Sequence, residues 1–158
     1  MSKKVYINAT ILDERPTGLG IYIKNIILKL KDKNIDFKVF CPINLEGVNV
    51  IKTTEKLKTT YKKRGGLVRF LWTQFVLPFK VKKNDIVYHP FQYLSILSRS
   101  KQIITIHDFI PLYYPEVAKH QYYYYKIVMP ILLKKAHKIV CISENTKNDV
   151  VKFFNVDE

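Results

Sequence analysis

Two neighbouring residues, His107 and Asp108, are the side chains of this chain best placed to do chemistry. They follow the apolar run 103–106, and such a run is typical of a strand that is buried on both faces. An imidazole changes its charge near neutral pH, so it both exchanges protons and holds hydroxyl groups. We therefore predict that the pair has a catalytic or substrate-binding role, and a hydrogen-bonded pair inside the core is the alternative.

A second candidate is the glycine loop, Gly18, Leu19 and Gly20, which lies between a predicted strand at 5–7 and an amphipathic helix. Glycine allows a ligand to approach the backbone closely, and the start of a helix attracts phosphate. The loop is predicted to bind phosphate or substrate, with a plain structural turn as the alternative. A dinucleotide site is not favoured, because Ile23 occupies the place of the third glycine of that fingerprint.

Two further polar residues also follow predicted strands. His89 precedes Pro90, so it either binds substrate or shapes a turn; Ser143 either binds substrate or caps the last helix. No two histidines have the spacing of metal ligands. We expect neither a metal nor a bound cofactor, and no Ser-centred hydrolase motif is present.

These residues depend on elements that the hydrophobic pattern predicts. Strands are expected at 5–7, 36–41, 48–51, 85–88, 102–106 and 138–142, with helical segments or loops between them. Such alternation predicts an α/β fold, a Rossmann-like doubly wound and mostly parallel sheet with helices on both faces. A length of 158 residues is most simply that of one domain. Ligands bind such sheets at the carboxyl ends of the strands, where all the candidate residues meet.

The net charge of +14 favours an anionic partner, such as nucleic acid, acidic lipid or a phosphorylated small molecule, with simple solubility as the alternative. Basic residues adjoin an aromatic-rich helix at 67–79, which suits an anionic membrane surface. A helix packed on the sheet is the alternative. The residues predicted to lie at the membrane surface are Lys62, Lys63, Arg64, Arg69 and Trp72.

The chain has no apolar run of membrane-spanning length, and its two cysteines show no paired spacing. We therefore expect a cytoplasmic protein, with peripheral binding at the inner face of the plasma membrane as an option. No motif for reading nucleic acid is recognisable, so nucleic acid is a less favoured partner.

Three segments resemble a known family: the loop at 16–22, the strand and turn at 104–108 with 114–116, and the strand and helix start at 138–146. Together they are similar to the N-terminal domain of GT-B glycosyltransferases of family 4, the glycosyltransferase group 1 type. The segment 69–78 also resembles members that act on bacterial polysaccharides. The resemblance covers nearly the whole chain.

The resemblance implies two Rossmann-like domains that face each other across a cleft. The N-terminal domain takes a saccharide or lipid-linked acceptor, and the C-terminal domain holds a UDP- or GDP-sugar. Transfer retains the anomeric configuration without a metal. Gly18 and Gly20 would approach the donor diphosphate or the acceptor, and His107 would contact the transferred sugar. Ile21 departs from the family, which often has Arg there.

The resemblance also implies a C-terminal domain with a basic diphosphate clamp and paired glutamates, which the 158 residues do not contain. A leaving diphosphate needs cations directed at it. We therefore expect a fragment, an excised domain or a split subunit that is inactive alone. The alternatives are a basic nucleic-acid-binding module and a non-catalytic subunit that binds the acceptor for another chain.

Overall fold

The computed structural model describes residues 3–16, 18–117 and 119–156, with the backbone alone at 61–64. Six parallel strands form one sheet in the order β3-β2-β1-β4-β5-β6. The strands are β1 (Val5–Asn8), β2 (Lys38–Cys41), β3 (Val50–Lys52), β4 (Ile86–His89), β5 (Lys101–Ile106) and β6 (Lys138–Cys141). The predicted Rossmann-like α/β fold is confirmed.

Helices or helical turns connect or follow most of the strands. They are α1 (Leu19–Asp32), α2 (Lys62–Phe75), α3 (Leu77–Lys80), α4 (Ile110–Tyr113), α5 (Lys119–Tyr123), α6 (Met129–Lys135) and α7 (Glu144–Phe154). Two 3₁₀ turns, Glu55–Leu57 and Thr59–Tyr61, precede α2, and a π-helical turn, Tyr124–Val128, joins α5 to α6. No helix in the described part of the chain is long and apolar enough to cross a membrane.

The core lies on both faces of the sheet, because successive side chains of a strand point to opposite faces. On the first face, which we call the α1 face, Ile23 and Ile27 of α1 pack against Ile7 and Val39. The opposite face, which we call the α2 face, is covered by α2, α3 and the helical run from α5 to α6. Its buried strand residues are Tyr6, Phe40, Val87, Ile104 and Ile106.

Prolines explain where the helices differ from the predicted ones. The predicted helix at 67–79 begins earlier and breaks between Phe75 and Leu77, just before Pro78. Pro111 lies in the first turn of α4. Proline is tolerated there because the first N–H groups of a helix have no partner within it.

Candidate functional site

The carboxyl ends of the strands bring the glycine loop and the His107–Asp108 pair together. Tyr22, in the first turn of α1, packs perpendicular to the His107 ring, with 4.9 Å between the ring centroids. From the other side, the Thr146 hydroxyl of α7 donates to the His107 carbonyl oxygen at 3.1 Å. Segments far apart in sequence therefore form one rim, which consists of the glycine loop, His107, Asp108 and the start of α7.

The two glycines of the loop are required for different physical reasons. Gly18 has a φ of +44°, a conformation that side chains rarely adopt. At Gly20, a Cβ atom would lie 2.8 Å from Cβ of Pro16, so the helix start packs directly on the loop. Among the residues that the structure describes, no side chain caps the start of α1, so N–H groups of its first turn are available to an anion. Thr17 lies outside the described residues.

The orientation of His107 is fixed by a backbone carbonyl. Its Nε2 donates to the Pro90 carbonyl oxygen at 2.9 Å, and a carbonyl oxygen can only accept a hydrogen bond. In the neutral ring, Nδ1 therefore carries the lone pair and can accept a hydrogen bond from a hydroxyl group. The half-buried Asp108 accepts the N–H of Ile110 at 3.1 Å on Oδ1, and so also fixes the start of α4.

His89 is not a substrate-binding residue, and the prediction for it is wrong. Its ring is fully buried. The Asn8 amide donates to Nδ1 at 3.2 Å, and Nε2 donates to Oε1 of Gln102 at 3.1 Å. Burial lowers the pKa of His89 from 6.5 to about 3, so the ring is neutral in the folded protein. His89 thus joins β1, β4 and β5 inside the sheet.

A chain of hydroxyl groups, which was not among the predicted site residues, supports the rim from the α1 face. The Tyr88 hydroxyl is hydrogen-bonded to the Thr105 hydroxyl at 2.8 Å and to the Tyr22 hydroxyl at 3.3 Å. Burial raises the pKa of Tyr88, so it remains protonated. The sequence signal for this hydroxyl chain is a hydroxyl-bearing residue inside each of two largely apolar strands, Tyr88 in β4 and Thr105 in β5.

A groove of about 930 Å³ opens beside the rim, between α2 and the helical run that begins with α4. This volume falls within the range typical of small-molecule sites. Leu19 and Asp108 belong to both the rim and the groove. Its other lining residues include Leu67, Arg69, Phe70, Tyr93, Tyr124 and Tyr125.

The groove has an aromatic wall with one embedded cation. Tyr124 contacts the ring edges of Phe70 and Tyr93, with centroid distances of 6.2 and 5.7 Å. The guanidinium group of Arg69 donates to the carbonyl oxygens of Leu57 and Lys58, at 2.6 and 3.2 Å. Among the described residues, Nε of Arg69 has no hydrogen-bond partner. Burial lowers the pKa of Arg69, although the nearby Tyr93 opposes this effect.

Arg69, one of the residues predicted at a membrane surface, points inward, so the prediction is wrong for this residue. Arg69 is only 7% exposed, because it is held by the two backbone carbonyls. Trp72 is half-buried and places its ring against Phe40, at a centroid distance of 5.5 Å. The side chains of Lys62, Lys63 and Arg64, the other predicted members, lie outside the described residues.

Ser143 lies at the rim as the N-cap of α7, which was one of its two predicted roles. Its hydroxyl accepts the N–H of Thr146 at 3.1 Å. Its other predicted role, binding substrate, stays a prediction. Within residues 3–16, 18–117 and 119–156, no three His, Cys, Asp or Glu side chains cluster as metal ligands would.

A comparison with protein-family models matches residues 16–158 to the family described as Glycosyltransferase Family 4. The chain belongs to this family. The matched range contains the glycine loop, His107, Asp108 and the whole groove, so the Glycosyltransferase Family 4 domain includes the candidate site. Comparisons with curated proteins and with solved structures found no match.

Membership in Glycosyltransferase Family 4 confirms the predicted resemblance and gives the chain a glycosyltransferase-type role. As an N-terminal domain of that family it has a Rossmann-like α/β fold, which is what the parallel sheet shows. Ligands of open parallel sheets bind beyond the carboxyl ends of the strands. The rim and the groove are therefore the candidate substrate-binding site.

Proposed function

We propose that this domain is the acceptor side of a retaining glycosyltransferase. In this proposal the enzyme moves a sugar from a UDP- or GDP-sugar to a saccharide or lipid-linked acceptor in bacterial polysaccharide synthesis. The observation that carries the proposal is that the groove of about 930 Å³ shares Leu19 and Asp108 with the rim. An acceptor in the groove would thus reach the rim, where the sugar would be transferred.

His107 and the glycine loop have complementary roles in this proposal. Nδ1 of His107, left with a lone pair by the bond between Nε2 and Pro90, accepts a hydroxyl group of the transferred sugar. The uncapped start of α1 binds a phosphate or acceptor oxygen through its N–H groups. Asp108, at the junction of rim and groove, accepts a hydrogen bond from the acceptor hydroxyl.

The groove itself suits an acceptor that has both apolar and anionic parts. Phe70, Tyr93 and Tyr124 supply an aromatic wall on which sugar rings or a lipid chain would pack. Arg69 is a buried cation without a carboxylate partner in the described ion pairs. A buried charge is costly unless it is paired, so a phosphate on a lipid-linked acceptor would compensate for it.

Donor binding is assigned in this proposal to a second domain, because the leaving diphosphate needs a set of cations directed at it. The chain of 158 residues is then expected to bind UDP- and GDP-sugars weakly and to be inactive alone. Isothermal titration calorimetry of this chain tests the assignment, and tight binding of either nucleotide-sugar would overturn it.

The activity is tested with the protein as its gene encodes it. The protein is incubated with radiolabelled UDP- or GDP-sugars and a bacterial lipid extract, and the label is measured in the lipid and polysaccharide fractions. We expect label from one nucleotide-sugar to enter one of these fractions without added metal. Release of free sugar only, with no labelled acceptor, would contradict the proposal.

A further inference from the structure

Helix α2 and the short α3 bury polar side chains and expose apolar ones. Their buried positions include three polar side chains, and their exposed positions include a row of apolar ones at a spacing of four residues. The buried side chains are Arg69, Thr73, Gln74 and Leu77, and the apolar Phe70 and Trp72 are half-buried. The exposed row is Leu67, Leu71, Phe75 and Phe79, with Phe79 88% exposed. Side chains four apart lie on one side of a helix, so Leu67, Leu71 and Phe75 form an apolar ridge on α2, and Phe79 follows them on α3 beyond the break.

A second apolar ridge lies on the neighbouring helical run. It consists of Tyr123, Ile127 and Ile131, again four residues apart and each about half exposed or more. The two helical segments adjoin on the α2 face, as the contact between Phe70 and Tyr124 shows. We call the two ridges together the apolar surface; it comprises Leu67, Leu71, Phe75, Phe79, Tyr123, Ile127 and Ile131.

The charge of the chain is concentrated in the same two segments. Residues 56–84 and 117–143 contain 14 of the 27 basic residues and none of the 13 acidic ones. The rest of the chain carries equal numbers of both signs and is electrically balanced. The net charge of +14 therefore belongs to the segments that carry the apolar surface. Lys80, Lys82 and Lys83, next to Phe79 in the chain, are all exposed.

We propose that the apolar surface docks on an anionic lipid bilayer. Apolar side chains that enter the headgroup region, combined with lysines that meet anionic headgroups, are the two requirements of peripheral membrane binding. Of the residues predicted at a membrane surface, the buried Arg69 and the half-buried Trp72 are not part of the apolar surface. The ridge residue Leu67 also lines the groove, so a lipid-linked acceptor would reach the groove from the bilayer.

The proposal goes beyond sugar transfer and is tested without turnover. The chain is mixed with vesicles of phosphatidylglycerol, of phosphatidylcholine or of an equal mixture, and the bound fraction is measured by flotation. We expect binding to phosphatidylglycerol and to the mixture, weaker binding as salt is raised, and little binding to phosphatidylcholine. Equal binding to all three vesicles, or to none, would overturn the proposal.

Matched variants locate the contact. Leu71 on α2 and Leu28 on α1 are both 43% exposed leucines on opposite faces of the sheet. Leu71→Ala is expected to lower the partition coefficient about threefold, and Phe79→Ala about tenfold, whereas Leu28→Ala leaves it unchanged. Because these side chains are exposed, circular dichroism should show all three variants folded. Equal losses for Leu71→Ala and Leu28→Ala would contradict this location.

The charge requirement has its own pair of variants. The double variant K82E/K83E is expected to weaken binding to phosphatidylglycerol vesicles by more than about tenfold. The control K29E/K33E, which changes exposed lysines at the end of α1, makes the same change in net charge and should have a smaller effect. Equal losses of vesicle binding in the two double variants would mean that binding depends only on net charge, which would contradict docking through the apolar surface. Tighter binding to random DNA than to the vesicles would favour a nucleic-acid surface and would overturn the proposal.

Discussion

The neutral, buried His89 predicts a specific dependence of stability on pH. Its pKa is lowered from 6.5 to about 3 in the folded protein by burial, whereas in the unfolded chain the ring titrates normally. Between pH 6.5 and 3 the unfolded chain therefore binds more protons, and the free energy of unfolding falls as the pH falls through this window. From pH 7.5 to 5.5 this one ring is expected to remove roughly 1 kcal/mol of stability.

The comparison that isolates this effect is the wild type against His89→Gln. A glutamine can accept from Asn8 and donate to Gln102, so it satisfies the two hydrogen-bond partners of the ring without titrating. Urea unfolding is followed by the fluorescence of Trp72, the only tryptophan, at both pH values. The variant is less stable overall because packing is lost, but its decline between the two pH values should be smaller by roughly 1 kcal/mol. Equal declines would refute the reasoning, because the remaining histidines are common to both proteins.

Three further substitutions and one control, Gly66→Ala, are compared by the free energy of urea unfolding. They test the packing of the loop, the groove and the support of the rim. Gly20→Ala should destabilise the protein by about 1–3 kcal/mol, because its Cβ would lie 2.8 Å from Cβ of Pro16. Gly66 lies inside α2, and an added Cβ would make only ordinary van der Waals contacts. Gly66→Ala should therefore stabilise the protein by up to about 1 kcal/mol. Equal stabilities of Gly20→Ala and Gly66→Ala would mean that the glycine loop moves to accommodate the added Cβ, which would contradict the prediction. Arg69→Gln should cost about 2–3 kcal/mol through its two carbonyl partners, and a loss below about 0.5 kcal/mol would show that Arg69 is not needed for folding. Tyr88→Phe should cost about 1–2 kcal/mol, because the hydroxyl of Thr105 loses its partner; an unchanged stability would contradict the proposed hydroxyl chain.

The fold could be predicted because its signals are local. The β-branched and apolar runs around Val39, Val87 and Ile104 identify central strands, and Pro78 lies next to the break between α2 and α3. Pro130 lacks an N–H group, and the N–H of Met129 instead reaches the Tyr124 carbonyl oxygen across a π-helical turn. The common rim follows from strand polarity alone, since the carboxyl ends of parallel strands share an edge.

The errors arose where distant partners decide the outcome. His89 and His107 both follow strands, yet the first is enclosed by Asn8 and Gln102, which lie 81 and 13 residues away in sequence. Nothing in the local pattern distinguishes the two histidines. Helix α2 has large apolar residues on more than one side, so its pattern did not reveal that Arg69 faces inward. The groove could not be predicted either, because its wall combines Phe70, Tyr93 and Tyr124 from three separate segments.

The central claim is that the carboxyl rim of the sheet is the site of sugar transfer, and two histidines at opposite edges test it most directly. His107 lies at the carboxyl end of β5, whereas the exposed His137 precedes β6, at the amino ends of the strands. The initial rate of label transfer from the nucleotide-sugar is measured for His107→Ala and His137→Ala in the protein as its gene encodes it. The account predicts a loss of about 100-fold or more for His107→Ala, with His137→Ala close to the wild type. Wild-type rates for His107→Ala, or equal losses in both variants, would contradict it.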